Sequence, residues 1–142
     1  MAMARSGDLI IPILGTPAAV GLARTLADAR LRKWDYFHLI DDALLIISEL
    51  VTNATRQTPN EEIRFRLSRE SSGALIAVWD SSPAVPAPKP AFELSLDDLE
   101  CSEENYDANG GWGLCIVQTL AARCGLTRDP GGGKWIWARL DC

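Results

Sequence analysis

The chain has 142 residues, 47% of them apolar, and a formal net charge of −5 at neutral pH. That length suits one domain, spanning 1–142, with one sizeable core, and the acidic balance argues against direct nucleic-acid binding, which needs a clustered basic face. No apolar run approaches the roughly 18–20 residues of a membrane span, and MAMARSGDLIIPILGTP at the N-terminus is too weakly apolar for a signal peptide, so a cytoplasmic protein is expected.

Residues 8–14 form an apolar run interrupted by Pro12, which suits an edge strand because proline donates nothing to a ladder. A helix opens near Thr16, with Pro17 in its first turn and Val20, Leu22, Ala23, Leu26 and Ala27 as its apolar face up to about Leu31. Asp35 is placed to cap a second helix over 36–58, where Ile40, Ala43, Leu44, Ile47, Leu50, Val51 and Ala54 recur at three- and four-residue steps. Pro59 and Asn60 end it. Over 61–70, Ile63, Phe65 and Leu67 alternate with charged neighbours, as in a strand with one wet face.

The run 74–80 is apolar on both faces and reads as a central strand ending in Asp80. A connection over about 81–110 follows, far longer than an ordinary loop and therefore a candidate lid. Seven acidic residues lie within it between Glu93 and Asp107, and no basic residue occurs between Lys89 and Arg123. A helix from Gly113 to about Arg123 stops near Gly125, and two strands near 125–129 and 134–140 are joined by a PGGG turn. Cys101, Cys115, Cys124 and Cys142 show no CxxC pairing, and with His38 as the sole histidine they read as reduced thiols rather than a zinc site.

Four features could carry chemistry. Glu49 and Asn53, four residues apart, stack on the flank of the second helix's apolar stripe. An asparagine oxygen can ligate Mg²⁺ and a glutamate one turn away can take a proton, although the same pair also fits a solvated helix face. Asp80, at the end of an apolar strand, needs a donor if buried, and an adenine amino group is one; it equally fits the start of a turn. Gly110-Gly111-Trp112-Gly113-Leu114 precedes a helix, where exposed backbone N–H groups favour phosphate, or forms a plain loop-to-helix junction. Gly131-Gly132-Gly133-Lys134 is most simply a hairpin turn, and Trp79, Trp135 and Trp137 read as sheet residues, with Trp112 a candidate exposed contact.

In order, ELVTNA, Asp80 at a strand end, GGWGLCIV and PGGGKWIWARL resemble the N, G1, G2 and G3 boxes of GHKL ATPases, the Bergerat-fold group, over about 16–140. The chain looks most like the short anti-sigma-factor serine/threonine kinases of actinobacteria. That resemblance implies an α+β two-layer sandwich with a mixed, mostly antiparallel sheet and helices on one face. It also implies ATP and Mg²⁺ as cofactors, Asn53 as the Mg²⁺ ligand and Glu49 as the catalytic base. Asp80 would read adenine, Gly111, Gly113 and Leu114 would form the phosphate turn, and Arg56 would contact a phosphate. The implied activity is phosphoryl transfer to a protein partner, an anti-sigma antagonist or a sigma factor, and a homodimer is a frequent state of similar proteins. Because Ser82 and Ala84 stand where the family's G1 glycines usually fall, a catalytically inactive binding module of the same fold is the alternative.

Overall fold

The computed structural model describes residues 8–83 and 113–142. Strand β1 (Leu9–Leu14) precedes helix α1 (Ala18–Lys33), whose buried residues Ala19, Ala23, Ala27 and Leu31 recur every fourth position. This stripe of small side chains packs against helix α2 (Ile40–Gln57). Leu22, expected on the apolar face, lies one residue off the stripe and is 48% exposed.

Asp35 does not cap α2. It adopts the left-handed conformation (φ 62°) just past the end of α1. Its N–H donates to the Arg32 carbonyl at 3.0 Å and the Tyr36 N–H to the Leu31 carbonyl at 2.9 Å. This pairing closes the C-terminus of α1, a role that a short polar side chain tolerates at positive φ. A 3-10 turn over Phe37–Leu39 then leads into α2, whose N-cap position is Leu39. The buried residues of α2 include Ile40, Ala43, Ile46, Ile47, Leu50, Val51 and Ala54, so the expected stripe stands, with Ile46 added and Leu44 at its edge.

Strands β2 (Glu62–Glu70) and β3 (Gly73–Asp80) form a hairpin. Helix α3 (Gly113–Leu120) and strands β4 (Arg123–Arg128) and β5 (Lys134–Asp141) complete the described elements. The sheet order is β1-β2-β3-β5-β4, with every pairing antiparallel, so none of the parallel pairing implied by a mixed sheet occurs among the described strands. Pro12 lies on the edge strand and β3 at the centre, as expected. Helix α3 stops before the anticipated Arg123, and Gly125 belongs to β4 rather than to a helix stop. It pairs with Trp137, whose indole occupies the space above it, 2.8 Å from where a Cβ would sit.

Strand alternation sorts the two faces of the sheet. Ile63, Phe65, Leu67, Ile76, Val78, Ile136, Ala138 and Leu140 meet α2 and its neighbouring helices in one core. The opposite face carries Arg64, Arg66, Leu75, Ala77, Trp79, Trp135, Trp137 and Arg139 by the same parity. It is not uniformly wet, because Arg66 and Ser68 are buried there. Helices on one side of an antiparallel sheet make this an α+β two-layer fold. No described helix is long and apolar enough to cross a membrane.

Candidate functional site

Strand β3 ends on the helix side of the sheet, and that parity buries Asp80 to 1% exposure. Directly across the ladder on β5 stands Lys134, with no exposed surface. Its Nζ donates to Asp80 Oδ1 at 2.7 Å and to the Ser82 carbonyl at 3.0 Å. The Ser82 N–H donates to the same carboxylate oxygen at 2.9 Å. Asp80 Oδ2 is equally buried and has no partner. Burial pushes the Asp80 carboxyl above its ordinary range, and the hydrogen bond and charge of Lys134, then the Ser82 N–H, pull it back.

The β4–β5 turn is fitted around this pair. Gly133 has φ 77°, and a Cβ there would run into the Asp80 carbonyl. Trp79 Nε1 donates to the Gly132 carbonyl at 3.0 Å, which ties the turn to the last residues of β3.

Helix α2 reaches the same place. Ser82 Oγ donates to Gln57 Oε1 at 3.2 Å, which joins the last turn of α2 to the end of β3. Asn53 lies four residues before Gln57, hence on the same helix flank and about 6 Å back along the axis. It is 8% exposed, and its Nδ2 is buried without a partner. Glu49, half-buried, continues the flank one turn further. Arg56 is exposed in the final turn. Gly113 and Leu114 open α3, which packs on α2. Gly111, Trp112 and most of the proposed lid lie outside the described residues.

The fold thus brings Asn53 and Asp80, 27 positions apart in the chain, to one end of the α2–sheet layer. There, two buried polar atoms lack partners, and orphaned groups of this kind are costly unless a ligand or water completes them. Asp80 Oδ2 is an acceptor suited to an amino group. The Asn53 amide is a donor and acceptor of the kind that meets phosphate oxygens or a hard cation. Among the described residues no cluster of three His, Cys, Asp or Glu side chains could hold a metal alone. A Mg²⁺ ion here would draw its other ligands from phosphates and water, as Mg²⁺ commonly does.

Sequence reasoning does not single out Gln57, reads Lys134 as part of a hairpin turn and Ser82 as a departure from the G1 pattern, and so misses all three as neighbours of Asp80. Lys134 had a legible signal: it shares strand parity with Ile136, Ala138 and Leu140, so an inward-facing strand 134–140 must bury it. A buried ammonium needs a carboxylate, and Asp80 has the same inward parity on β3.

A family model of the histidine kinase-like ATPase domain matches residues 13–140. Comparison with curated proteins gives no significant match.

Proposed function

Since the chain belongs to the histidine kinase-like ATPase domain family, with ATP as the ligand its fold implies, we propose that it is a cytoplasmic regulatory serine/threonine kinase of the anti-sigma-factor type. The observation that carries the nucleotide part is Asp80, whose one oxygen is saturated by Lys134 and Ser82 while the other lies buried without a donor. The amino group of adenine supplies that donor.

Each residue has a task in this reading. Asp80 Oδ2 accepts from the base and orients it, and Lys134 keeps the carboxylate in place. Asn53 contributes one ligand to Mg²⁺ through its amide oxygen, and the backbone N–H groups at Gly111, Gly113 and Leu114 hold phosphate oxygens at a helix start. Arg56 contacts a phosphate from the last turn of α2. Bound Mg-ATP supplies the γ-phosphoryl group together with a cation that offsets its charge. Glu49, one turn from Asn53, accepts the proton of a partner's serine or threonine hydroxyl as that oxygen bonds to phosphorus and ADP leaves. Positioning and charge stabilisation carry most of such a transfer. The partner is a protein, an anti-sigma antagonist or a sigma factor, and the kinase acts as a homodimer.

Calorimetric titration of wild type and Asn53→Ala with Mg-ATP, followed by incubation with labelled ATP and candidate partners, tests this function. Binding that weakens in Asn53→Ala, and transfer that disappears in Glu49→Ala while binding persists, is the expected result; transfer unchanged in Glu49→Ala removes the proposed base. The second reading, a binding module without transfer, is favoured by Ser82 and Ala84, which follow Asp80 in place of the two G1 glycines. It predicts nucleotide binding with no labelled partner.

A further inference from the structure

Among the described residues, Asp80 and Lys134 are the two buried charges on the helix side of the sheet, opposite each other in the β3–β5 ladder. The other cations at this end of the fold, Arg56 and Arg128, are exposed, and Arg128 reaches the Pro83 carbonyl at 3.5 Å rather than the carboxylate. Two protein donors converge on Asp80 Oδ1: Lys134 Nζ at 2.7 Å and the Ser82 N–H at 2.9 Å. The second bond from Nζ, to the Ser82 carbonyl at 3.0 Å, closes a small ring that fixes the rotation of the carboxylate. Only Oδ2 is left for a ligand.

What Oδ2 can do depends on whether the carboxyl holds a proton. An ionised carboxylate only accepts hydrogen bonds, whereas a protonated one also donates. The amino group of a 6-aminopurine gives the carboxylate a donor. The carbonyl of a 6-oxopurine would meet it lone pair to lone pair, a mismatch that burial makes costly. Burial drives Asp80 toward its protonated form, and the two leading influences against it, a hydrogen bond and a charge, both belong to Lys134; the Ser82 N–H comes third. Without the lysine, one backbone N–H is left to hold a negative charge in a dry site, and the carboxyl keeps its proton at neutral pH.

On the premise that the site binds ATP as proposed above, we infer that Lys134 sets its base specificity: by keeping Asp80 an acceptor-only carboxylate, it admits 6-aminopurine nucleotides and rejects 6-oxopurine nucleotides. Lys134 acts on the base through Asp80 and is therefore a positioning residue. Its place is fixed by the ladder and by Gly133 before it, whose missing side chain lets the turn lie against the Asp80 carbonyl.

The test is calorimetric titration of the full chain with Mg-ATP and Mg-ITP at pH 7, on wild type, Lys134→Gln and Lys134→Met. Glutamine keeps a donor for Oδ1 without the charge, and methionine removes both. Wild type is expected to prefer ATP at least about tenfold, and each variant that folds to fall below about threefold because ITP binding improves relative to ATP. A purely structural lysine would weaken both nucleotides together, so an unchanged ratio overturns the proposal. Infrared difference spectra of the ATP-bound chain against Asp80→Asn give a readout that needs no Lys134 variant. No protonated-carboxyl stretch at Asp80 is expected in wild type at pH 7; its presence overturns the proposal, and its absence supports it even where both Lys134 variants fail to fold. Wild type that binds neither nucleotide defeats the ATP site itself and this inference with it. Wild type that prefers ATP, with variants that keep the same preference, defeats this inference alone.

Discussion

Replacing Lys134 by methionine isolates what the buried pair contributes. Lys134 and Asp80 are 0% and 1% exposed and 2.7 Å apart. At an effective dielectric of about 20 their attraction is on the order of 6 kcal/mol, comparable with the several kcal/mol lost when each ion leaves water, so the pair is nearly neutral against an apolar replacement. Removing one member leaves the other charge uncompensated. Lys134→Met is therefore expected to lower the unfolding free energy by about 3–5 kcal/mol at pH 7. Asp80→Leu combined with Lys134→Met should return to within about 1 kcal/mol of wild type. The pH dependence has a definite sign. Without Lys134 nothing offsets burial at Asp80 except the Ser82 N–H, so its folded-state pKa rises further above the unfolded value. The folded variant then binds the extra proton, and its deficit shrinks as pH falls from neutral toward the unfolded carboxyl range. Urea unfolding followed by circular dichroism at pH 7 and pH 5 measures all of this. A Lys134→Met deficit below about 1 kcal/mol, or one that grows on acidification, would refute the account of a desolvated ion pair.

Asn53→Ala should leave stability within about 1 kcal/mol of wild type, since the lost amide carries a buried nitrogen without a partner; a larger loss in urea unfolding means the side chain is structural. Gly133→Ala should cost about 1–3 kcal/mol, because φ is 77° and the new Cβ meets the Asp80 carbonyl. Gly131→Ala, whose nearest neighbour is Asp129 Oδ1 at 3.3 Å, serves as the mild control in the same melting experiment. Cys124, whose thiol burial pushes up to about 11, should react with iodoacetamide at pH 8 far more slowly than exposed Cys142, as peptide mapping would show.

Much of this fold was legible because its periodicities are strong. The three- and four-residue recurrence from Ile40 to Ala54 located α2, and the alternation of Ile63, Phe65 and Leu67 located β2 and its buried face. The errors have local physical causes. Leu22 is the larger apolar residue, yet α1 buries the alanine stripe at Ala19, Ala23 and Ala27, since small side chains allow the close approach to α2. Asp35 fits a helix start by residue type, whereas its left-handed conformation ends the helix before it. Gly125 reads as a helix stop in one dimension, whereas in the sheet it is the gap that Trp137 fills. At the site, Glu49, Asn53 and Asp80 could be chosen by residue type and position, but their neighbours could not. The bond from Ser82 to Gln57 and the pairing of Asp80 with Lys134 depend on the register of β3 against β5 and on how α2 crosses the sheet. Those are tertiary facts, set by contacts 25 and 54 residues apart.

Calorimetric titration of the full chain with Mg-ATP and with Mg-ITP tests the role of Asp80 most directly. The inosine base presents a carbonyl where adenine presents the amino group that Oδ2 needs. Saturable one-to-one binding of ATP, with ITP weaker by at least about tenfold, is the predicted result. Equal affinities for the two nucleotides, or no saturable heat at millimolar ATP, would contradict it.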